Sequence, residues 1–383
     1  MHQRLVLAVI GTALSVSSLL AADLNGVPVQ SDRALFRVAT FATGLDHPWG
    51  AVVLPDGRLL VTERPGRMRI VDRNGRLSPP FSGVPPTEAG DWEGGLLDVA
   101  LAPDFVTTRE IYFCHAAQVE GGALTRLSRA GLSIEATALE GATPVLDVTT
   151  AQDEDRRHFG CRIAFGPRDG KVYLSTGDRL TDRARAQRLD DLAGKVLRLE
   201  RDGRPAAGNP FLGRQDARPE IFSYGHRNPQ GLAFNPWTGS LWEAELGPSG
   251  GDEVNVIRAG GNYGWPLVTH GVDLDGSVIS NLRSAPGMED PVKVWTPVIS
   301  PSGIAFYDGD AFPGWRGSLF LAALNTPGLV RLSTEGDRVT GEERLLTDEV
   351  RMRHGVQGAD GWLYILTDET DGRILRLEQV ATQ

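Results

Sequence analysis

Apolar and polar positions along the chain fall into one recurring pattern: a short apolar run, a Gly- or Asp-bearing turn, then a second apolar run. The pattern occurs as WGAVVLPDGRLLVTER from Trp49, LLDVALAPDFVTTREIYFCHA from Leu96 and RIAFGPRDGKVYLSTGD from Arg162. It returns as QGLAFNPWTGSLWEAELG from Gln230, SGIAFYDGDAFPGWRGSLFLAAL from Ser302 and HGVQGADGWLYILTDE from His354. Each unit reads as two short strands joined by a hairpin. Further strand-like segments follow most units, among them RMRIVD, KVLRLE, EVNVI, LVRLS and RILRLE. Several strands per unit, repeated at a spacing stretched by unequal loops, predict the blades of a propeller. A βαβ fold would need amphipathic helices between the strands. The best helical candidate, AQRLDDLAG, supplies a turn or two. The expected fold is therefore all-β: a six-bladed β-propeller of four-stranded antiparallel blades. LFRVATFAT, near residue 35, is strand-like but has no unit of its own. It is expected to complete the last blade, joining the chain ends and removing sheet edges.

The N-terminus changes the domain picture. MHQRLVLAVIGTALSVSSLLAAD has a short basic start, an apolar stretch from Leu5 to Leu20 and a small-residue exit at Ala21–Ala22. This is the pattern of a secretory signal peptide over residues 1–22, with an N-terminal anchor as the other reading. Residues 23–383 are then a single propeller domain, exported to the periplasm of a bacterium. The 383 residues carry a formal net charge of -10, which argues against nucleic acid or an anionic membrane surface as a general partner. No later stretch is long and apolar enough to span a membrane. Monomer and homodimer both stay open. No Cys or His pair has the spacing of zinc ligands, so a zinc site is not expected.

Candidate chemistry gathers at one end of the expected ring. His158 stands where the charged loop DEDRRHFG meets the first strand of the third unit. Its imidazole has the proton affinity of a general base at neutral pH, although a loop histidine also simply hydrogen-bonds nearby acids. SYGHRNPQG puts His226, Arg227 and Asn228 just before the inner strand of the fourth unit, and DEVRMRHG puts Arg351 and Arg353 before that of the sixth. Three blades thus deliver polar groups to one end. Guanidinium groups there suit a carboxylate-bearing ligand or a developing oxyanion. ELGPSGGDEVNVIRAGGNYGWP, residues 245–266, combines tight glycine turns with Asp252, Glu253 and Asn255. Free carbonyls and hard carboxylate oxygens are calcium-type ligands, while a plain inter-strand turn is the alternative.

These motifs together resemble the soluble, pyrroloquinoline-quinone-dependent aldose sugar dehydrogenases of the glucose/sorbosone dehydrogenase family. The resemblance runs from about residue 40 to the end. It rests on GLDHPW, GGLLDVALAPDF, HFGCRIAFG, GKVLRL, SYGHRNPQG, GPSGGDEVN, NYGWP and LYILTDE. It implies an enzyme that oxidises aldose sugars at C1 to lactones by hydride transfer to calcium-bound pyrroloquinoline quinone (PQQ), passing electrons to an unidentified respiratory acceptor. It implies His158 as the general base, Arg227 as the arginine holding the quinone oxygens, and Asn228 beside it. Arg351 and Arg353 would face the cofactor's carboxylates. Gly247 and Pro248 would give carbonyls to the calcium, and Glu253 and Tyr263 would form a second, structural calcium site.

The chain departs from the family pattern around the cofactor. Glu93 stands where the family carries Gln, Asn325 where it carries Lys, and Leu274 where it carries an aromatic residue. An added carboxylate, a lost cation and a lost stacking face all weaken quinone binding. They favour a second reading, a diverged propeller that binds a ligand or protein without catalysis; a calcium-dependent hydrolase of lactonase type, using His158 with a channel metal, is the third, although few acids converge on the inner strands to serve it. Cys114 and Cys161 also stand where the family carries small non-cysteine residues. They flank the boundary between the second and third blades, so an exported chain is expected to join them, two separate buried thiols being the alternative.

Overall fold

Each of the six sequence units becomes one antiparallel sheet. The computed structural model describes residues 25–380, apart from 91, 92 and 348; the leader-like residues 1–22 lie outside the described residues. The inner and second strands are Pro48–Val53 with Leu59–Glu63 in blade 1, Leu96–Leu101 with Glu110–Val119 in blade 2, and Ile163–Phe165 with Val172–Thr176 in blade 3. They are Pro229–Phe234 with Leu241–Glu245 in blade 4, Pro301–Phe306 with Ser318–Ala323 in blade 5, and Met352–Gln357 with Leu363–Thr367 in blade 6. The inner strands pack side by side in a closed ring, blade 6 against blade 1. Leu35–Leu45 pairs antiparallel with Gly372–Gln379, so the N-terminal strand closes the last blade as expected. Four of the blades have four strands; blade 1 has three and blade 6, with Pro28–Gln30 added outside, has five. AQRLDDLAG contributes only to the short 3₁₀ turn Arg183–Gln187.

The core explains the continuous apolar runs. Second strands such as Leu59–Glu63, Val172–Thr176 and Leu363–Thr367 are buried along their whole length, because both faces of a blade are covered by neighbouring blades. The buried apolar side chains divide into one cluster for each blade boundary, for example Leu60, Met68, Leu96 and Ile111 between blades 1 and 2. A fully buried Leu or Ile contributes about 1.5–3 kcal/mol, so cohesion comes mainly from these face-to-face contacts.

Register fixes what lines the axis. Gly50, Asp98, Arg162, Gly231, Gly303 and His354 occupy the same level, each three residues before the last paired residue of its inner strand. The glycines are required by space. A Cβ on Gly50 would lie 2.8 Å from Asp98 Oδ1, and one on Gly231 would lie 2.7 Å from the Ser302 carbonyl. A Cβ on Gly303 would overlap the His354 ring. Asp98 and Arg162 fill the vacated space as a buried ion pair of 2.9 Å, with the Arg162 guanidinium 4.0 Å over the Trp49 ring and its Nε donating to the Gln230 carbonyl.

Cys114 and Cys161 are joined, with a Cα separation of 5.7 Å, and both are fully buried in the cluster between blades 2 and 3. The bond ties the second strand of blade 2 to the loop that carries His158. It closes a loop with a sequence separation of 47. Chain-entropy arguments assign about 4 kcal/mol to such a loop. Replacing both residues, Cys114→Ala with Cys161→Ala, should lower the unfolding free energy by about 2–4 kcal/mol in urea titration. Unreduced peptide maps should show the two cysteine peptides joined. Free thiols, or a variant as stable as the parent, would contradict the brace.

Candidate active site

The segment 153–162 crosses from the outer strand of blade 2 to the inner strand of blade 3 at one end of the ring. Its backbone is strained where it matters. His158 and Cys161 have φ of 54° and 78°, and Gly160 between them has φ of 64°. A left-handed L-residue costs about 1–2 kcal/mol, so the surroundings must hold the loop. They do so at four points. The His158 N–H donates to Glu93 Oε2 at 2.8 Å, the Gly160 N–H to Asn228 Oδ1 at 3.1 Å, and the Cys161 N–H to the Ser175 carbonyl at 2.8 Å. The disulfide is the fourth.

His158 is buried, and its Nδ1 lies 2.6 Å from Asp178 Oδ1. The other oxygen of Asp178 accepts the Trp265 indole N–H at 2.7 Å. Burial pushes the Asp178 carboxyl up, but the His158 ring, the Arg227 charge and the Leu180 N–H outweigh it and hold it below the usual carboxylate range. The pair fixes the ring: Nδ1 is engaged, so Nε2 is the nitrogen left to take a proton. Asp178 was not singled out from the sequence, although a signal was present. His158 precedes an inner strand and Asp178 follows its antiparallel partner, so both must emerge at the same end.

Glu93 joins this loop to the next blade. The same Oε2 that accepts His158 N–H also accepts Asn228 Nδ2 at 3.1 Å. Beside Glu93 opens a cavity of about 530 Å³ whose walls include Trp49, Arg64, Gln230, Asn325, Arg351, Arg353 and Asp368. Trp49, Gln230 and Arg353 stand one residue from the axial layer, which therefore forms the cavity floor. Arg351 and Arg353 both reach Asp368 Oδ2, at 3.0 and 2.9 Å. Burial raises the Asp368 carboxyl, but Arg353, His47 and Arg351 together hold it far below the carboxylate range. Asp368 too was missed in the sequence, where it follows the second strand of blade 6.

The remaining expected site residues divide into two groups. Arg227 is buried with Nη1 on the Leu246 and Gly247 carbonyls, at 2.9 and 2.7 Å, while its Nε makes no hydrogen bond. Pro248 is buried against Gly271. Asp252 holds the Gly247 N–H at 2.8 Å, and its carboxyl is pushed up by burial to about 6. Glu253 and Tyr263 belong to a separate place. The Glu253 carboxylate lies 3.5 Å from Asn255 Nδ2, and Tyr263 stacks on His226, its hydroxyl donating to the Val256 carbonyl at 2.7 Å. Leu274 is 72% exposed on an outer loop and is not among the cavity walls.

Fold and site together define a six-bladed propeller with a buried histidine–aspartate pair and a pair of arginines bound to one aspartate at the same end of the channel. Comparison with known proteins narrows this class. The profile for "Glucose / Sorbosone dehydrogenase" matches residues 45–376, and the chain belongs to that family. It is 41% identical over 356 residues to the aldose sugar dehydrogenase YliI of Escherichia coli, covering 90% of this chain and 93% of that one. A crystal structure of a glucose dehydrogenase superposes with a TM-score of 0.86 at 44% identity, covering 90% of this chain and 99% of the other. The PQQ-bound aldose sugar dehydrogenase of Streptomyces coelicolor gives 0.73 at 33% identity, covering 90% and 98%.

Asp178 and Asp368 both ionise more readily in the folded chain than in the unfolded one. Their contribution is therefore complete above about pH 5 and is lost as pH falls through the unfolded carboxyl value near 4 toward the folded one. Urea unfolding should show stability declining on acidification from about pH 5 to 3. Asp368→Asn should lower stability at neutral pH by about 2–4 kcal/mol and flatten this acid limb. An unchanged limb would remove Asp368 as its source.

Proposed function

We propose that this chain oxidises aldose sugars at C1 to lactones, using pyrroloquinoline quinone and calcium. The observation that carries the reading is the buried His158–Asp178 pair, linked through Glu93 to a cavity whose walls include Arg351 and Arg353. The residues present fit the cofactor. Arg227 Nε and Arg353 Nε are buried without hydrogen bonds, which suits groups awaiting an anionic or carbonyl ligand. The Gly247 carbonyl, which accepts Arg227, has a second lone pair for a cation, and Pro248 adjoins it. When bound, the quinone would accept a hydride and calcium would polarise it.

The protein's own part is to orient and to move a proton. His158 Nε2 takes the proton of the anomeric hydroxyl as the C1–H bond breaks, and Asp178 steadies the imidazolium that forms. Arg227 and Asn228 hold the acceptor's oxygens, while Arg351 and Arg353 hold its carboxylates. Glu253 and Tyr263 supply the second calcium site. Glu93 is tied inward by two N–H donors, which moderates its repulsion of an anionic cofactor. The leader-like N-terminus and the disulfide support export to the periplasm, where electrons pass to a respiratory acceptor.

His158→Ala should lower kcat for glucose with a dye acceptor by about 10²–10⁴ while the quinone still binds. Asp178→Asn should also lower kcat, with KM little changed and an altered pH–rate profile, because it acts only through His158. An unchanged rate in His158→Ala removes the base from the mechanism. Glu93 and Asn325 favour a second reading, a diverged propeller that binds without catalysis. Glu93→Gln with Asn325→Lys should tighten quinone binding, read by cofactor absorbance. No turnover in either protein at saturating quinone and calcium would favour the second reading.

A further inference from the structure

Behind the His158–Asp178 pair, the turn Arg183–Gln187 is gathered onto one buried ammonium. Lys195 opens the third strand of blade 3, Lys195–Leu199, and is fully buried. Its Nζ donates to the Arg185, Ala186 and Ala193 carbonyls at 2.9, 3.1 and 2.5 Å. Buried charges are ordinarily paired with an opposite charge, yet these partners are backbone carbonyls. Burial pushes the ammonium down to about 7, but only the charged form has an N–H for each of three acceptors. The lysine thus cross-links irregular backbone that has no ladder of its own.

Two routes lead from this clamp to the pair. In the first, the N–H of Gly194, beside Lys195, donates to the Gly177 carbonyl at 2.9 Å, one residue before Asp178. The second runs through Trp265. The Ala186 carbonyl also accepts the Gly225 N–H at 2.9 Å, and the Gly225 carbonyl accepts the Trp265 N–H at 2.9 Å. Gln187, which ends the turn, donates from Nε2 to the Trp265 carbonyl at 2.7 Å and exchanges two amide hydrogen bonds of 2.9 Å with Asn262. Trp265 is therefore held at its N–H and its carbonyl, and its indole N–H reaches Asp178 Oδ2 at 2.7 Å. The packing leaves no slack: a Cβ on Gly225 would lie 2.3 Å from Asn262 Oδ1, and one on Gly194 would lie 2.5 Å from the His226 carbonyl.

We propose that Lys195 and Gln187 are positioning residues for the proton transfer at His158. Neither is among the cavity walls, and each acts through Asp178. Lys195 fixes the turn, Gln187 carries its position to Trp265, and the Trp265 indole sets the carboxylate that orients the His158 ring. Asp178 has two oxygens and two jobs: Oδ1 faces His158 Nδ1 and Oδ2 faces the indole. Loss of the second contact frees the carboxylate to rotate, so the first loses its alignment. The catalytic part of this inference rests on His158 being the base, whereas the positioning of its ring does not.

The test reads the ring directly, by proton–nitrogen NMR of the histidine side chains in the full chain. A His158 Nδ1–H held by Asp178 gives a slowly exchanging downfield resonance, assigned by its absence from His158→Ala. Lys195→Met and Gln187→Met should each broaden or erase it. With quinone and calcium supplied, both should lower kcat by about 10–10²-fold with KM little changed, and should shift the acid limb of the pH–rate profile. Gln187→Met leaves the lysine clamp in place and cuts only the link to Trp265, so it answers the question should Lys195→Met fail to fold. A resonance as sharp in Gln187→Met as in the parent would overturn the proposal, whatever the turnover. A resonance lost with turnover unchanged would uphold the positioning and remove His158 as the base.

Discussion

The structure depends on how six inner strands meet at one axis. At one level the ring alternates absence and bulk: Gly50, Gly231 and Gly303 give up their side chains, and Asp98, Arg162 and His354 occupy the space. The Asp98–Arg162 pair is not a source of net stability. Burial moves both groups toward neutrality; each opposes this through the other, helped at Asp98 by the Ile163 and Val99 N–H groups. Such a pair costs about as much to desolvate as it returns, yet removing one member would strand a buried charge at a cost of about 3–5 kcal/mol. Its role is specificity. It sets which blade faces which, and it stacks Trp49 and anchors Gln230 at the base of the cavity.

From that floor the site follows by register. Residues one step toward the mouth line the cavity, and residues beyond the strand ends form its rim. The left-handed backbone at His158 and Cys161 is affordable because a disulfide, a neighbouring blade's asparagine and a carboxylate hold it. That same bracing delivers His158 to Asp178 in one orientation. Stability and function therefore meet in a segment of a few residues, as expected where strain is stored for positioning.

Charge at the mouth is nearly self-compensated. Asp368 gathers Arg351 and Arg353, and Glu93 is engaged by two N–H groups. An incoming anionic ligand must compete with Asp368 for its arginines. Glu93 thus acts within a network, less a free repulsive charge than a structural acceptor.

The sequence by itself determined the ring. Apolar runs of strand length, broken by Gly and Asp turns, repeat often enough to number the blades, and a leftover strand identified how the ring closes. Because strand ends alternate between the two faces of a propeller, the sequence also placed His158, Arg227, Asn228, Arg351 and Arg353 at one end, and the two cysteines at one blade boundary. Tertiary structure alone decided what touches what. It turned Arg227 onto the Leu246 and Gly247 carbonyls, tied Glu93 inward and left Leu274 on an outer loop. It also gathered His226, Glu243 and Glu245 into one buried group. The physical reason is that strand periodicity specifies the face and end of a side chain, whereas convergence depends on the distance and rotation between blades, which are set by packing across boundaries far apart in the chain.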